Sequence, residues 1–261
     1  AFIGMASGQD DLLLKYDKLE KKLVNVIQGT DLSSQKVTYA AAAFDMSGNG
    51  KTDLIVARSS GLFIYVNEGL MKFKKYRITP PFTDSVPASI AIGDYNLNGK
   101  PDIYISRFTQ SEKLLAFQYH NPKHYKKGIL LENQGNMKFK DVTDKSHAGG
   151  KQNTFTSVFI DLGSGRPDIV MAHDNGPIEI LENRKGKKFK SIDLHDTMDL
   201  PYGFWMGLAV GDFNNNGKWD FFFTNIGNTM SVPKSGGIRG NPKKGGAKPT
   251  DKVTNKHILI E

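Results

Sequence analysis

The chain contains no cysteine, so neither disulfides nor cysteine-based metal sites can hold it together. It has no apolar run of about 18 residues, and so no helical stretch able to cross a bilayer. A Gly-x-Ser-x-Gly elbow, a phosphate-binding loop and a His-Glu-x-x-His pair are all missing, which removes the usual sequence grounds for three large enzyme classes. There is no initiator Met and no signal peptide. A start at Ala1 suits a processed or partial chain, so that absence is silent on compartment.

What is present is a nine-residue acidic loop that recurs. Asp45-Met-Ser-Gly-Asn-Gly-Lys-Thr-Asp53, Asp94-Tyr-Asn-Leu-Asn-Gly-Lys-Pro-Asp102 and Asp212-Phe-Asn-Asn-Asn-Gly-Lys-Trp-Asp220 are full copies; Asp161-Leu-Gly-Ser-Gly-Arg-Pro-Asp168 is one residue shorter. Oxygen side chains fall at positions 1, 3, 5 and 9 with Gly at 6, the layout of a loop folded around a hard cation.

Apolar runs flank each copy. Residues 39–44, 88–93, 156–160 and 206–211 precede the loops, and 54–57, 103–106, 169–172 and 221–224 follow them. They are too short for helices and rich in β-branched and aromatic residues, so they read as strands joined by a tight loop. A third run ends in Asn67, Asn133 and Asn183, and a fourth is built on Phe73, Phe139 and Phe189, always six residues later. The leading Asp residues are 49, 67 and 51 positions apart. Four strands per unit at a period near 50 predict an all-β fold, a β-propeller of four-stranded antiparallel blades. A β-sandwich is the rival, but it has no reason to repeat loop and strand ending in phase.

These units resemble FG-GAP/VCBS repeats, the repeats of the integrin α-subunit propeller. The stretch Leu208–Phe213, Asn216–Asp220 and Phe222–Ile226 is similar to repeats of ASPIC/UnbV-type extracellular proteins. The resemblance covers almost the whole chain outside two insertions. It implies a propeller, commonly of seven blades, with calcium at the loops, and it implies no single activity.

The expected organisation is a partial blade at 1–30, blades at 31–79, 80–148 and 149–197, and an incomplete blade at 198–261. Phe2–Gly8 aligns with the strand after a loop, and His257–Glu261 with a third strand that stops where Asn is due. Three full blades and two partial ones make the chain, on this reading, an incomplete segment of a longer propeller.

In each full loop the side chains at 1, 3, 5 and 9 and the carbonyl of residue 7 supply the oxygens. The candidate metal ligands are Asp45, Ser47, Asn49, Lys51 and Asp53; Asp94, Asn96, Asn98, Lys100 and Asp102; and Asp212, Asn214, Asn216, Lys218 and Asp220. The Lys at position 7 fits only if its side chain turns to solvent. With two carboxylates per loop, structural Ca²⁺ sites of weak affinity are expected, about 10⁻⁴ to 10⁻³ M. An Asx-turn held by hydrogen bonds alone is the other reading of these residues. The short loop keeps Asp161 and Asp168 but has Gly163 and Gly165 where ligands belong, and reads as an ion-free turn. Magnesium is disfavoured by its tighter octahedral shell.

The net charge is +8, of which residues 228–256 carry +6. This Gly- and Pro-rich insertion reads as a solvated loop, and Lys234, Arg239, Lys243, Lys244 and Lys248 are its partner-binding candidates, for a protein or an anionic glycan. It has no aromatic residue to stack bases, which argues against nucleic acid. A second insertion, 108–127, leaves the equivalent point of its unit; His120 and His124 have zinc-like spacing, but Pro122 argues against a helix there. Glu132, Glu179 and Glu182 alternate with apolar residues and read as solvent-facing. Trp205 and Tyr202 read as core aromatics. The resulting expectation is a non-enzymatic calcium-binding propeller located outside the cell, at its surface or in the periplasm. It would serve adhesion, scaffolding or assembly through a protein partner or the remaining part of the propeller. A carbohydrate-binding lectin is the alternative, and a polysaccharide-acting enzyme a weaker one.

Overall fold

A computed structural model describes residues 1–109, 124–150, 152–174, 176–198, 200–226 and 258–260. The partner candidates Lys234, Arg239, Lys243, Lys244 and Lys248, and His120 of the other insertion, lie outside the described residues.

Five small antiparallel sheets stand side by side as blades of a β-propeller-like ring. The first contains β1 (Phe2–Ile3), β2 (Leu12–Asp17) and β3 (Lys22–Asn25). The second contains β4 (Thr38–Phe44), β5 (Asp53–Arg58), β6 (Gly61–Gly69) and β7 (Lys72–Arg77). The third contains β8 (Ser85–Gly93), β9 (Asp102–Thr109), β10 (Ile129–Gly135) and β11 (Lys138–Asp141), followed by a short α1 (Thr143–Ser146). The fourth contains β12 (Thr154–Asp161), β13 (Pro167–His173), β14 (Ile178–Arg184) and β15 (Lys188–Asp193), followed by α2 (Leu194–Met198). The fifth contains β16 (Trp205–Gly211), β17 (Asp220–Asn225) and β18 (Ile258–Ile260). Three sheets thus have four strands and two have three. The first strands β4, β8, β12 and β16 pack in succession at the centre, and β7, β11 and β15 form the outer edges.

The middle strands are apolar along their whole length because both of their faces are buried. In β5, Ile55 and Ala57 pack toward the third blade with Ile103, Ile105 and Leu131. Val56 and its neighbours Phe63 and Tyr65 of β6 pack toward the first blade with Ile27, Leu32 and Phe2. Two more clusters repeat this design. One joins Tyr104 and Leu130 of the third blade to Ile169, Met171 and Leu181 of the fourth. The other joins Val170 and Ile178 of the fourth to Trp205, Phe221 and Phe223 of the fifth. Trp205 has no exposed surface and donates its indole N–H to the Gly176 carbonyl at 3.0 Å, so its expected core role holds.

Two expectations are corrected. The strand expected across Phe2–Gly8 is paired only over Phe2–Ile3. Gly4 lies too close to Thr38 for any side chain, which lets the chain pass tightly against the second blade. Glu179 does not face solvent. It is buried, it accepts from the Ser191 hydroxyl, and its carboxylate sits 2.9 Å from His173 Nε2, whose Nδ1 lies 3.0 Å from Thr154 Oγ1.

Each first strand carries a bulge at the end away from its loop, between Thr38 and Ala40, Pro87 and Ser89, Thr154 and Thr156, and Trp205 and Gly207. A polar residue closes the second strand there: Arg58, Arg107, His173 and Asn225. Arg58 is the most committed. Its guanidinium donates to Asp11 (2.7 Å), to the Leu32 carbonyl (2.8 Å) and to the Tyr65 hydroxyl, and Asp11 is itself fully buried. Truncating one partner leaves a buried charge unpaired. Arg58→Ala should therefore cost about 3–5 kcal/mol, read by urea denaturation. Leu19→Ala, at a residue 95% exposed, should stay within about 0.5 kcal/mol.

Candidate metal centre

All four acidic loops join the first strand of a blade to the second, so they share one face of the ring. Their local build is the same. The position-1 carboxylate turns back over the loop and collects its N–H groups. Asp45 accepts from Gly48 (2.8 Å), Asn49 (3.1 Å) and Gly50 (2.7 Å); Asp94 from Asn98 (3.0 Å) and Gly99 (2.7 Å); Asp212 from Asn216 (2.9 Å) and Gly217 (2.8 Å). The position-5 amide oxygens of Asn49, Asn98 and Asn216 accept the N–H of the Lys at position 7, at 2.8–2.9 Å. Converging N–H groups require left-handed residues at positions 4 and 6. Glycine fills position 6 in each full loop, while position 4 is Gly48, Leu97 or Asn215, with φ of 72°, 56° and 58°. A leucine at positive φ is backbone strain that its surroundings must hold in place.

The position-9 aspartates are different in kind. Asp53, Asp102, Asp168 and Asp220 are all buried. One oxygen of each accepts a loop N–H, from Ser47 (2.9 Å), Tyr95 (3.2 Å), Leu162 (3.3 Å) and Phe213 (2.8 Å). The other oxygen of the first three accepts the N–H of the third-strand Asn, at 2.7 Å from Asn67, 2.8 Å from Asn133 and 2.6 Å from Asn183. Those Asn side chains then donate to the carbonyl of loop position 8 (Thr52, Pro101, Pro167) and accept the N–H of the following turn glycine. This explains the in-phase Asn of the sequence pattern, whose role was not read from the sequence. In the fifth blade Asp220 Oδ1 is buried and unpartnered among the described residues.

The residues present fit a hard cation. The donors are all oxygen; Asp45 Oδ1 already accepts from the Ser47 hydroxyl and the Gly48 and Asn49 N–H groups, whereas Oδ2, which accepts from Gly50, keeps a further lone pair. Among the described residues no group of three or more His, Cys, Asp or Glu gathers. An ion's shell would therefore need amide, hydroxyl and backbone oxygens beside two carboxylates. The short loop keeps a position-1 acceptor, with Asp161 accepting from Gly163 (2.9 Å) and Gly165 (3.0 Å), but it has no side-chain oxygen at positions 3 and 5 and so lacks the position-5 amide bond of the full loops. Electrostatics separate the two aspartates of a loop. Burial would raise Asp45, but the hydrogen bonds it accepts hold its carboxyl below the usual value. Burial pushes Asp102 up to about 7, reinforced by Asp94 and Glu132 and opposed by the Asn133 and Tyr95 N–H groups. Burial also raises Asp168.

Position 2 acts between blades. Met46 (4% exposed) and Tyr95 (3%) plug into the blade that follows, Tyr95 against Phe189 and with its hydroxyl on Glu132 at 2.6 Å. Leu162 (39%) and Phe213 (53%) hold the same position and stay exposed.

Asn133→Ala removes two side-chain hydrogen bonds from a buried site, for an expected loss of about 2–3 kcal/mol by denaturation. The raised Asp102 has its own pH signature. Without metal, folding takes up a proton between pH 3.8 and about 7, so this stabilising contribution is complete below the lower value and lost as pH rises through the upper one. Asp102→Asn should flatten the metal-free stability profile across that window, measured by melting temperature against pH.

Comparison with known proteins agrees with this geometry. The FG-GAP-like repeat matches residues 45–105 and 162–223, each match running from one loop through the second strand of the next blade. Cartilage acidic protein 1 of Homo sapiens is 25% identical over 243 residues, covering 82% of this chain and 35% of that protein. Its Mus musculus counterpart is 24% identical over 242 residues, with 82% and 36% covered. The chain thus spans about a third of the length of these curated relatives. Among solved structures, a lectin of Agrocybe aegerita that recognises non-reducing terminal N-acetylglucosamine superposes with a TM-score of 0.51 at 15% identity, over 85% of this chain and 56% of that one. Loop, strand order and repeat match converge: the chain carries FG-GAP-like repeats over residues 45–105 and 162–223.

Proposed function

We propose that this is a non-enzymatic propeller module working outside the cell, at its surface or in the periplasm, with structural calcium in its three full loops and adhesion, scaffolding or assembly as its task. The observation that carries the reading is the division of labour within each loop. Asp53 and Asp102 at position 9 are engaged in holding the second strand, the loop and the third strand together, while positions 1, 3 and 5 gather oxygens at the exposed tip. A cation there would rigidify a rim rather than activate a substrate. The relatives' name refers to cartilage, a tissue dominated by extracellular matrix, which supports the location.

The partner is a protein or a further part of the propeller. Phe213 holds the position that Tyr95 uses to plug into the next blade, yet it is exposed, so it suits another blade packed on the fifth. An anionic glycan is the other class considered. Acid/base catalysis is disfavoured because the loop aspartates are already committed to backbone N–H groups.

A lectin-like reading stands second, favoured by a groove of about 740 Å³ between the second and third blades. Phe44, Tyr76 and Met137 offer apolar surface there, and Asp45, Asp94, Lys100 and Asn133 offer polar groups suited to hydroxyls. A glycan array separates the two readings.

Calorimetry and thermal melting with added calcium test the metal. At 10 mM and the expected affinity, each site should add about 1.5–2.7 kcal/mol. Asp94→Asn should remove one site's share, and the absence of any heat or melting shift at that concentration would sink the calcium assignment.

A further inference from the structure

The outer edge strands carry a second repeat that net charge conceals. Lys72-Phe73-Lys74 in β7, Lys138-Phe139-Lys140 in β11 and Lys188-Phe189-Lys190 in β15 occupy the same register, each Phe opposite the third-strand Asn. The Phe residues turn inward onto the preceding blade. Alternation then puts the two flanking lysines together on the opposite face, about 7 Å apart along the strand. All six lysines are exposed, and among the described residues none forms an ion pair. Glu132 and Glu182 lie directly across from Lys140 and Lys190; their hydrogen bonds go to other groups, although the Tyr95 hydroxyl, in holding the Glu132 carboxyl below its usual value, is helped by Lys140 nearby. Glu132 accepts from Tyr95 and Gln134, and Glu182 holds Arg184 at 2.6 Å. Lys75 and Arg77, and Lys185 and Lys187, add further positive charge beside the second- and fourth-blade pairs. Eight aspartates sit in the loops on one face of the ring, half of them buried, while Asp141 and Asp193 end the outer strands β11 and β15 themselves.

We propose that the outer wall of the second, third and fourth blades is a docking surface for a linear sulfated polysaccharide. Paired ammonium groups, repeated once per blade along a curved wall, match a flexible chain of regularly spaced sulfates. A flat anionic membrane could meet only part of such a wall. Nucleic acid finds little to stack on along these strands, because Phe73, Phe139 and Phe189 are turned into the interblade cores and Tyr76, on the lysine face of β7, is half-buried with Lys74 over its ring at 5.4 Å. Exposed lysines on edge strands also discourage edge-to-edge association, and that function alone would make no demand for a pair in the same register on every blade. The proposal rests on the reading of the chain as an extracellular scaffold, but its test is independent of calcium and of any protein partner.

Binding of the 261-residue chain to a heparin dodecasaccharide, followed by calorimetry across a salt series, is the experiment. The variant with all six lysines changed to Gln should bind at least about tenfold weaker at 0.15 M salt and show a shallower dependence of log K on log salt. A variant with Lys234, Arg239, Lys243, Lys244 and Lys248 changed to Gln should keep most of the affinity. Circular dichroism checks the fold, and should the sixfold variant misfold, Lys188→Gln with Lys190→Gln reads the same effect at smaller size. Unchanged heparin binding by the outer-wall variants overturns the proposal, including the case in which they self-associate and the lysines prove only to guard the edges. It is equally overturned if affinity is lost with the 234–248 substitutions instead, or if single-stranded DNA of equal charge binds as tightly as heparin.

Discussion

The second, third and fourth blades are each organised around one buried carboxylate. Asp53, Asp102 and Asp168 begin the second strand, take a loop N–H on one oxygen and take the third-strand Asn N–H on the other. Three chain segments are thereby pinned at a single point, and the Asn side chain extends the bond to loop position 8 and to the next turn. Burying an anion is costly, and the raised Asp102 records that cost. The cost is tolerable because both oxygens are satisfied by N–H groups that would otherwise be stranded at strand ends. The short loop at 161–168 is the natural experiment. It has lost a residue and the oxygens at positions 3 and 5, yet it retains Asp161 and Asp168 with the same partners. What the fold needs from the loop is thus separable from what a cation needs.

From that pinned corner the blades are joined by wedges of side chains. Met46 and Tyr95, the second residues of their loops, close the wedge on the loop face, and a polar residue of the second strand opposite the first-strand bulge does so at the other end. The latter is solved four ways: Arg58 with Asp11, Arg107 with the Lys127 carbonyl, His173 with Glu179 and Thr154, and Asn225 with the Phe204 N–H. A bulge on the adjoining first strand accompanies each. Repetition of backbone geometry with variation of the polar partner is what an array of similar units allows, since each interface is satisfied locally.

Much of this was legible in the sequence, for a physical reason. Strands buried on both faces must be continuously apolar, so β5, β9, β13 and β17 declared themselves within one to three residues of their ends, and the loops were visible because their donors lie within nine residues of one another. The same two-faced burial misled the reading of Glu179. Alternation suggests a wet face only when one exists, and the partners that let this glutamate be buried, His173 and Ser191, come from the two neighbouring strands. The Asn of the third strand was seen in phase but not understood, because its partner Asp is 14, 31 or 15 residues away, a separation no local pattern reveals. Phe2–Gly8 failed as a strand because only two of its residues find a pairing partner.

Charge shows most clearly why position matters more than sum. Outside residues 228–256 the chain is only slightly basic, which by itself suggests a nearly neutral body. The blade plan sorts that charge. Eight aspartates gather on the loop face, where backbone N–H groups solvate them, and the position-9 members are withdrawn from solvent altogether. Lysine ammonium groups need water, which they find at the loop tips (Lys51, Lys100 and Lys218) and on the outer strand, where a blade meets water on its edge. Screening over about 8 Å at physiological ionic strength keeps the two populations from cancelling across a blade. A ring built this way sorts its charge by place, with an aspartate pair and one Lys or Arg in each loop and paired lysines on the outer strands, an arrangement that its total charge does not advertise.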